Sequence, residues 1–443
     1  MLNPGDGKVP VGFLVFKTGG RLRRRLRWVR LPSIPALMLK KKLPVYAMEI
    51  SQNTDQLADL VRQEMTIEDI TLGGEQQGYV MRCRGRLLDK DTSAAYDRLA
   101  ERLSPFNLTP LFRWDEGRHA VLLVAGMPKP KPSNSWINLG LFIITFLSIV
   151  FSGGLYGMEE MPTGSGLQIA WAFIRSGLPF ALSLIAILAA HEFGHYFAGR
   201  YHGVHVTLPY FIPFPFSQFG TMGAFINMKE LPKNRRVLLD IGVAGPLSGL
   251  VVAVPLLLFG LMLSSTQPIP VAAAGRTMLE GNSILYLLLK FVVFGKLLPE
   301  PASFNGVSQA LYWLRYFFTG RPFPLGAIDV FLHPVAWAGW AGLLVTSLNL
   351  IPAGQLDGGH VIYVLLGREK AQRLFPFILV GLGLLGFVWG GWWLWALLIF
   401  MLGRRFAEPL DQITELDQPR RIIALIGFVL FFLTFIPVPL ILF

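Results

Sequence analysis

His191-Glu192-Phe193-Gly194-His195 closes an uncharged apolar run, Leu178 to Ala190. Ionisable groups at membrane depth are costly, so they mark function. Residues four apart share one face of a helix. His191 and His195 can therefore bind one metal ion while Glu192 lies beside it. The spacing fits zinc with a glutamate general base. Catalytic zinc takes three protein ligands and keeps one position for water, so a third ligand is needed. A metzincin continuation does not fit, because Ala198 and Tyr201 stand where Gly and His are required. His202 and His205 follow, but Gly199 and Gly203 weaken the helix there. These two read as polar residues at the membrane surface or as helpers near the site.

A better third ligand lies far downstream. Asn349-Leu350-Ile351-Pro352-Ala353-Gly354-Gln355-Leu356-Asp357-Gly358-Gly359-His360 ends another apolar helix, Val335 to Leu350. Pro352 and Gly354 break that helix, and Gly358-Gly359 permit a sharp turn or a close backbone approach. An aspartate on irregular backbone at membrane depth is tolerated where it lines a polar cavity. Asp357 would complete a His191, His195, Asp357 set for one zinc ion. Asp240, in a further apolar stretch, is either a competing ligand or a cap or partner for Arg235 or Arg236.

HEFGH followed by NLIPAGQLDGGH resembles the site-2 protease family of intramembrane metalloproteases. The family pattern, HExxH and then N-x-x-P-x-x-x-L-D-G-G, is met at every signature position. Residues 208–228 and 240–249 are also similar to the family, closest to its cyanobacterial and chloroplast branch. The resemblance covers residues 135–443. It implies His191, His195 and Asp357 as zinc ligands and Glu192 as catalytic base. It also implies a zinc-dependent intramembrane endopeptidase that cuts transmembrane protein substrates in or near their spans, in regulated intramembrane proteolysis. Asn349 is placed to bond the substrate backbone or a developing oxyanion. No sign of the PDZ or CBS modules common in the family is visible. Two other classes compete: a membrane metal transporter, which has no need of Glu192, and a catalytically inactive membrane scaffold.

Composition agrees with a membrane protein. Of 443 residues, 53% are apolar and only 15% charged, below the usual quarter. Cys83 is the single cysteine, which excludes an intrachain disulfide and a thiolate zinc site. It reads as an inert strand residue. The net charge of +12 gathers partly in Gly20–Arg30 and Lys40–Lys42. With apolar spans in the same chain, such clusters fit anionic lipid and not nucleic acid. The order of basic and apolar residues at the N-terminus does not fit a cleavable signal peptide.

The pattern predicts a polytopic α-helical membrane protein with about six spans, a re-entrant β-hairpin or loop, and a small N-terminal soluble α/β domain. Residues 1–47 form a basic, disordered leader, 48–127 the soluble domain, 128–134 a Pro/Lys linker and 135–443 the metalloprotease domain. In the small domain, Gln52–Met65 and Asp91–Leu103 read as helices. Gly78–Leu88, Thr109–Trp114 and Arg118–Ala125 read as strands, with a hairpin at Asp115-Glu116-Gly117. His119 stands there without a catalytic partner. Spans are expected at Trp136–Leu155, Ile169–Tyr201, Val237–Leu263, the helix ending at Asn349, and Ile422–Leu442. Residues 374–402 read as one long span or as a hairpin turning near Gly390-Gly391, which Arg404, Arg405, Arg420 and Arg421 favour. Residues 264–333 are external, with short interfacial helices at Ile284–Phe294 and Ala310–Phe318. Gly381–Gly386 spells GxGxxG without a βαβ setting, so it reads as helix packing. Lys129 and Lys131 before the first span, and Lys229, Lys233, Arg235 and Arg236 before the third, place the active site toward the cytoplasmic side of a multi-pass integral membrane protein. Residues 206–228 then begin and end on one side. Pro209, Pro213, Pro215, Gly220 and Gly223 exclude a spanning helix, and Thr221–Asn227 is the candidate strand for capturing substrate.

Overall fold

The computed structural model describes residues 8–12, 26–30, 54–73, 77–126, 133–158, 163–269, 278–301, 303–304, 306–322, 327–403 and 406–442. Of the expected leader, it describes only two antiparallel strands, β1 (Lys8–Gly12) and β2 (Leu26–Arg30). The Lys40–Lys42 cluster and nearly all of the Pro/Lys linker lie outside the described residues. The chain divides into two compact units.

The first unit holds α1 (Thr54–Arg62), β3 (Met65–Leu72), β4 (Met81–Leu87), α2 (Thr92–Leu103), β5 (Leu108–Asp115) and β6 (Arg118–Ala125). Its antiparallel sheet has the order β3-β4-β6-β5. Helix α2 buries Ala95, Tyr96, Leu99 and Leu103, a helical stripe. The Asp91 carboxylate caps it by accepting from the backbone N–H groups of Ser93 and Ala94. Glu116 (φ 49°) and Gly117 (φ 77°) carry the left-handed conformations of a tight two-residue hairpin. Strand β3 was not legible beforehand. The expected helix runs through to Met65, but the chain leaves it after Arg62. A register shift between Ile67 and Asp69 interrupts the alternation that would have marked a strand. Cys83 lies in β4 with no exposure, and burial pushes its thiol up to about 12, which keeps it protonated and inert.

The same unit also contains residues 231–236 and 408–416. Phe112 N–H donates to the Leu410 carbonyl, and Gln412 N–H donates back to Phe112, so residues 410–412 extend the β5 edge. Leu410 and Asp411 in turn donate to the Pro232 and Lys233 carbonyls. Leu231, Leu410 and Ile413 join the apolar core built by α1, α2 and the sheet. Asp411 is fully buried and accepts from the Ile413 and Thr414 amides. Both segments are charged and short, so their sequence gave no sign of belonging to a distant sheet.

The second unit opens with α3 (Ser135–Gly157) and α4 (Gly166–Tyr201), then a hairpin of β7 (Tyr210–Pro213) and β8 (Thr221–Phe225), then α5 (Arg235–Met262). Among the described residues, α3, α4 and α5 are the three helices long and apolar enough to cross a membrane. The chain between α4 and α5 forms no helix long enough to span. It forms the β7–β8 ladder, ordered by its prolines and glycines. Next come β9 (Ser265–Pro268), β10 (Met278–Glu280), α6 (Ile284–Phe294), α7 (Gln309–Thr319) and β11 (Ile328–Phe331). They are followed by α8 (Pro334–Asn349), α9 (Asp357–Leu366), α10 (Arg368–Gly386), α11 (Gly391–Leu402), α12 (Gln418–Thr434) and β12 (Leu440–Leu442).

Helix α8 has 16 residues, about 24 Å at 1.5 Å per residue, against a hydrocarbon layer of about 30 Å. Ala336, Trp337, Ala338, Trp340, Ala341 and Leu343 are all buried, so it is a core helix ringed by protein. Residues 374–402 are a helical hairpin, with α10 and α11 joined by a turn at 387–390. Gly386 of the GxGxxG stretch packs on the Trp393 indole, where a β-carbon would come within 2.6 Å. The last helix stops at Thr434 and not at Leu442. Pro437 and Pro439 prevent its continuation, and β12 pairs with β10 instead.

Lys290 is completely buried, 3.4 Å from Asp329 and 3.9 Å from Glu280, with its ammonium over the Tyr286 ring. The Tyr286 hydroxyl donates to Glu280 at 2.9 Å, and burial raises the Glu280 carboxyl above the usual carboxylate range. Lys290→Met leaves two buried carboxylates without a cation. It is expected to destabilise the folded protein by about 3–5 kcal/mol, read as a lowered thermal midpoint in detergent. Lys290→Met with an unaltered midpoint would show that the ammonium does not balance this cluster.

Candidate metal centre and active site

Helix α4 delivers the first two candidate ligands at helical spacing, both buried. His191 Nε2 and His195 Nε2 lie 3.2 Å apart. Asp357 Oδ2 is 3.3 Å from each of them. Among the described residues, these three form the one cluster of histidine, cysteine and acidic side chains able to hold a metal ion. The nearly equilateral triangle can be tested against zinc. Ligands about 2.0–2.1 Å from a tetrahedral ion lie about 3.3 Å from one another. The donor set therefore fits three vertices of a zinc tetrahedron and leaves the fourth for water or substrate.

The tautomer supports this arrangement. His195 Nδ1 faces the Ile241 carbonyl at 2.7 Å. A carbonyl only accepts, so Nδ1 carries the proton and Nε2 keeps its lone pair for a metal. Ile241 lies on α5, which approaches α4 through small residues. A β-carbon on Gly245 would fall 2.0 Å from His195 Nε2, and one on Gly249 would fall 3.2 Å from His191 Nδ1. Ser248 donates to the Ala190 carbonyl at 2.7 Å. Gly245 and Gly249 thus make room for the imidazoles. The Ile241 carbonyl could not have been found from side-chain types.

Asp357 is the first residue of α9. Gly354, at φ +56°, makes the turn before it. Gly358 and Gly359 serve close approach and not turning: their β-carbons would lie 1.9 Å from the Leu350 carbonyl oxygen and 2.3 Å from that of Gly354. The α8–α9 junction is thereby pressed together, and Asp357 is carried to the histidines. At the end of α8, Asn349 Nδ2 lies 3.3 Å from His191 Nε2.

Glu192 is 4% exposed, and the backbone N–H of Ile226, the residue after β8, faces its carboxylate. The strand expected over Thr221–Asn227 is regular over Thr221–Phe225, and Asn227 then bonds to Thr207. Three sequence candidates fall elsewhere. His202 Nε2 pairs with Asp240 at 2.9 Å, and His205 Nδ1 with Glu230 at 2.8 Å. Asp240 lies outside the His191–His195–Asp357 cluster. Arg420, from α12, holds it in a fork.

Residues 179–385 match the model of peptidase family M50, a stretch that contains His191, Glu192, His195, Asn349 and Asp357. Among similar proteins is "Probable zinc metalloprotease EGY1, chloroplastic" from Oryza sativa subsp. japonica, 30% identical over 71% of this chain and 53% of that protein. Its Arabidopsis thaliana counterpart is 29% identical over 72% and 56%. "Probable zinc metalloprotease EGY2, chloroplastic" from Arabidopsis thaliana is 30% identical over 70% and 50%. The chain thus spans about half the length of the relatives it matches.

Proposed function

We propose that this chain, whose residues 179–385 match the model of peptidase family M50, is a zinc-dependent intramembrane endopeptidase of the site-2 protease kind acting on transmembrane proteins. The observation that carries this reading is the His191–His195–Asp357 triangle with Glu192 beside it, held on apolar helices. His191, His195 and Asp357 would hold the ion, one per chain. When bound, zinc supplies acidity to an attacking water and an electrophile for the scissile carbonyl. Glu192 takes a proton from that water and returns one to the leaving amine. Asn349, whose amide lies at the rim of the triangle, hydrogen-bonds the substrate backbone or the developing oxyanion.

A helical substrate hides its carbonyls in its own hydrogen bonds. Strand β8 is proposed to capture the unwound segment as an added strand. The nearness of Ile226 to Glu192 supports this, because a segment laid along β8 would end at the catalytic carboxylate. Prolines placed singly at 222 and 224 are expected to lower cleavage at least tenfold wherever the lost N–H faces away from β7, with zinc content unaltered. Full cleavage by both would discard strand capture.

The proposed topology is multi-pass with about six spans. The α8, α10–α11 and α12 segments complete the crossings, and basic residues from 229 to 236 lie on the cytoplasmic side with the site. Residues 48–127, linked through 128–134, would form a domain that senses substrate or regulates the peptidase. The deciding experiment uses detergent-purified protein and a single-span model peptide. Cleavage that stops with a chelator and returns with zinc supports a peptidase. Zinc binding without cleavage would leave a metal carrier or an inactive scaffold.

A further inference from the structure

We infer that Asp240, Arg420 and His202 are positioning residues for the metal centre, acting through the backbone carbonyl of Ile241; this rests on the zinc-peptidase reading above. Arg420 donates to Asp240 through Nε at 2.9 and 3.0 Å and through Nη2 at 2.7 Å, a two-pronged guanidinium–carboxylate fork. The carboxylate also accepts from His202 Nε2 at 2.9 Å. Arg420 is itself fixed by Asp417, the cap of α12, which accepts from both its backbone N–H and its Nη1. One carboxylate thus ties the end of α4, the start of α5 and the start of α12.

Its place in the chain gives the tie its consequence. Ile241, the next residue, accepts from His195 Nδ1 at 2.7 Å and so sets the ring's tautomer and direction. His202 is seven residues beyond His195, two turns along the same helical face. The two links between α4 and α5, His195–Ile241 and His202–Asp240, therefore lie one residue apart on α5. A slip of α5 against α4 that lengthens this contact by about 1 Å would break the orienting bond, since hydrogen bonds weaken sharply beyond their normal length. The Arg420 fork opposes that slip.

The test uses the full-length protein in detergent, loaded with zinc, with Asp240→Asn, Arg420→Gln and Arg420→Lys. Three quantities are read: the rate of zinc release to a chromogenic chelator, the thermal midpoint of the zinc-free protein, and kcat and KM on a model peptide. Outer-sphere partners of metal ligands are worth about 10–100-fold in affinity. Asp240→Asn and Arg420→Gln should release zinc about tenfold faster and lower kcat, with KM and the zinc-free midpoint unaltered. Arg420→Lys, which keeps the charge but loses the fork, should fall between them and the wild type. Unchanged zinc release overturns the inference, and so does a lowered midpoint without faster release, which would mean that the fork only holds helices together. Should Arg420→Gln not fold, the near-isosteric Asp240→Asn decides alone. Wild-type protein that never retains zinc would instead sink the peptidase reading from which the inference starts.

Discussion

Glu192→Gln is expected to keep one zinc per chain and to lose about 10²–10⁴-fold in kcat, the usual worth of a positioned general base. Metal retention follows from the geometry. The triangle of two imidazoles and the Asp357 carboxylate is complete without Glu192. Glutamine has nearly the same shape and can still face the Ile226 amide through its side-chain oxygen, so the fold near β8 should persist. What it cannot do is take a proton from water and pass one to an amine. The loss should therefore fall on kcat with KM nearly constant, the signature of an interaction used in the transition state. Metal analysis and single-turnover cleavage of a model peptide check the two halves separately. Turnover near the wild-type rate would remove Glu192 from the chemistry, and loss of zinc would recast it as part of the metal site. Uncut single-span proteins that accumulate in membranes carrying the variant would point to substrates.

The convergence of His191, His195 and Asp357 was legible in the sequence because these residues are chemically conspicuous against their surroundings. His191, His195 and Asp357 interrupt apolar helices, where an unpaired polar group is costly. The broken helix after Asn349 explains how a residue more than 150 positions away can return to them. The β7–β8 hairpin was legible for a related reason, as its prolines and glycines forbid a helix through an otherwise apolar stretch. Elements set by partners and not by local pattern were harder to read. Strand β3 is blurred by its own register shift. Residues 410–412 have no strand pattern and gain their bonds from the β5 edge. Asp240 stands near two arginines in sequence and takes a third, 180 residues away. The end of α12 was misplaced because hydropathy continues to Leu442 while Pro437 and Pro439 do not allow a helix. Charge and hydropathy report the medium around a residue; long-range partners are decided by packing, which they do not encode.

Gly245→Ala should cost the protein its metal. A methyl group there would lie 2.0 Å from His195 Nε2 and within 2.5 Å of Cδ2 and Cε1, far inside any real carbon contact. Two responses could relieve the clash, and the structure resists both. The ring cannot swing away without breaking Nδ1–H···O=C to Ile241. Helix α5 cannot retreat freely, because Ser248 is bonded to the Ala190 carbonyl and Gly194 packs directly on the Ala244 carbonyl. Whichever gives way, Nε2 leaves the triangle. Zinc affinity should fall by at least about a hundredfold, the upper end of what disturbing a ligand's supporting shell costs, and cleavage should fall with it. Gly249→Ala is the internal comparison. Its β-carbon would be 3.2 Å from His191 Nδ1, a distance that a shift of a few tenths of an ångström relieves, so about tenfold or less is expected. Zinc stoichiometry after gel filtration measures both, with helix content by circular dichroism as the check on folding. A folded Gly245→Ala protein that still carries one tightly held zinc would mean that His195 does not bind the ion through Nε2, and the ligand set would have to be redrawn.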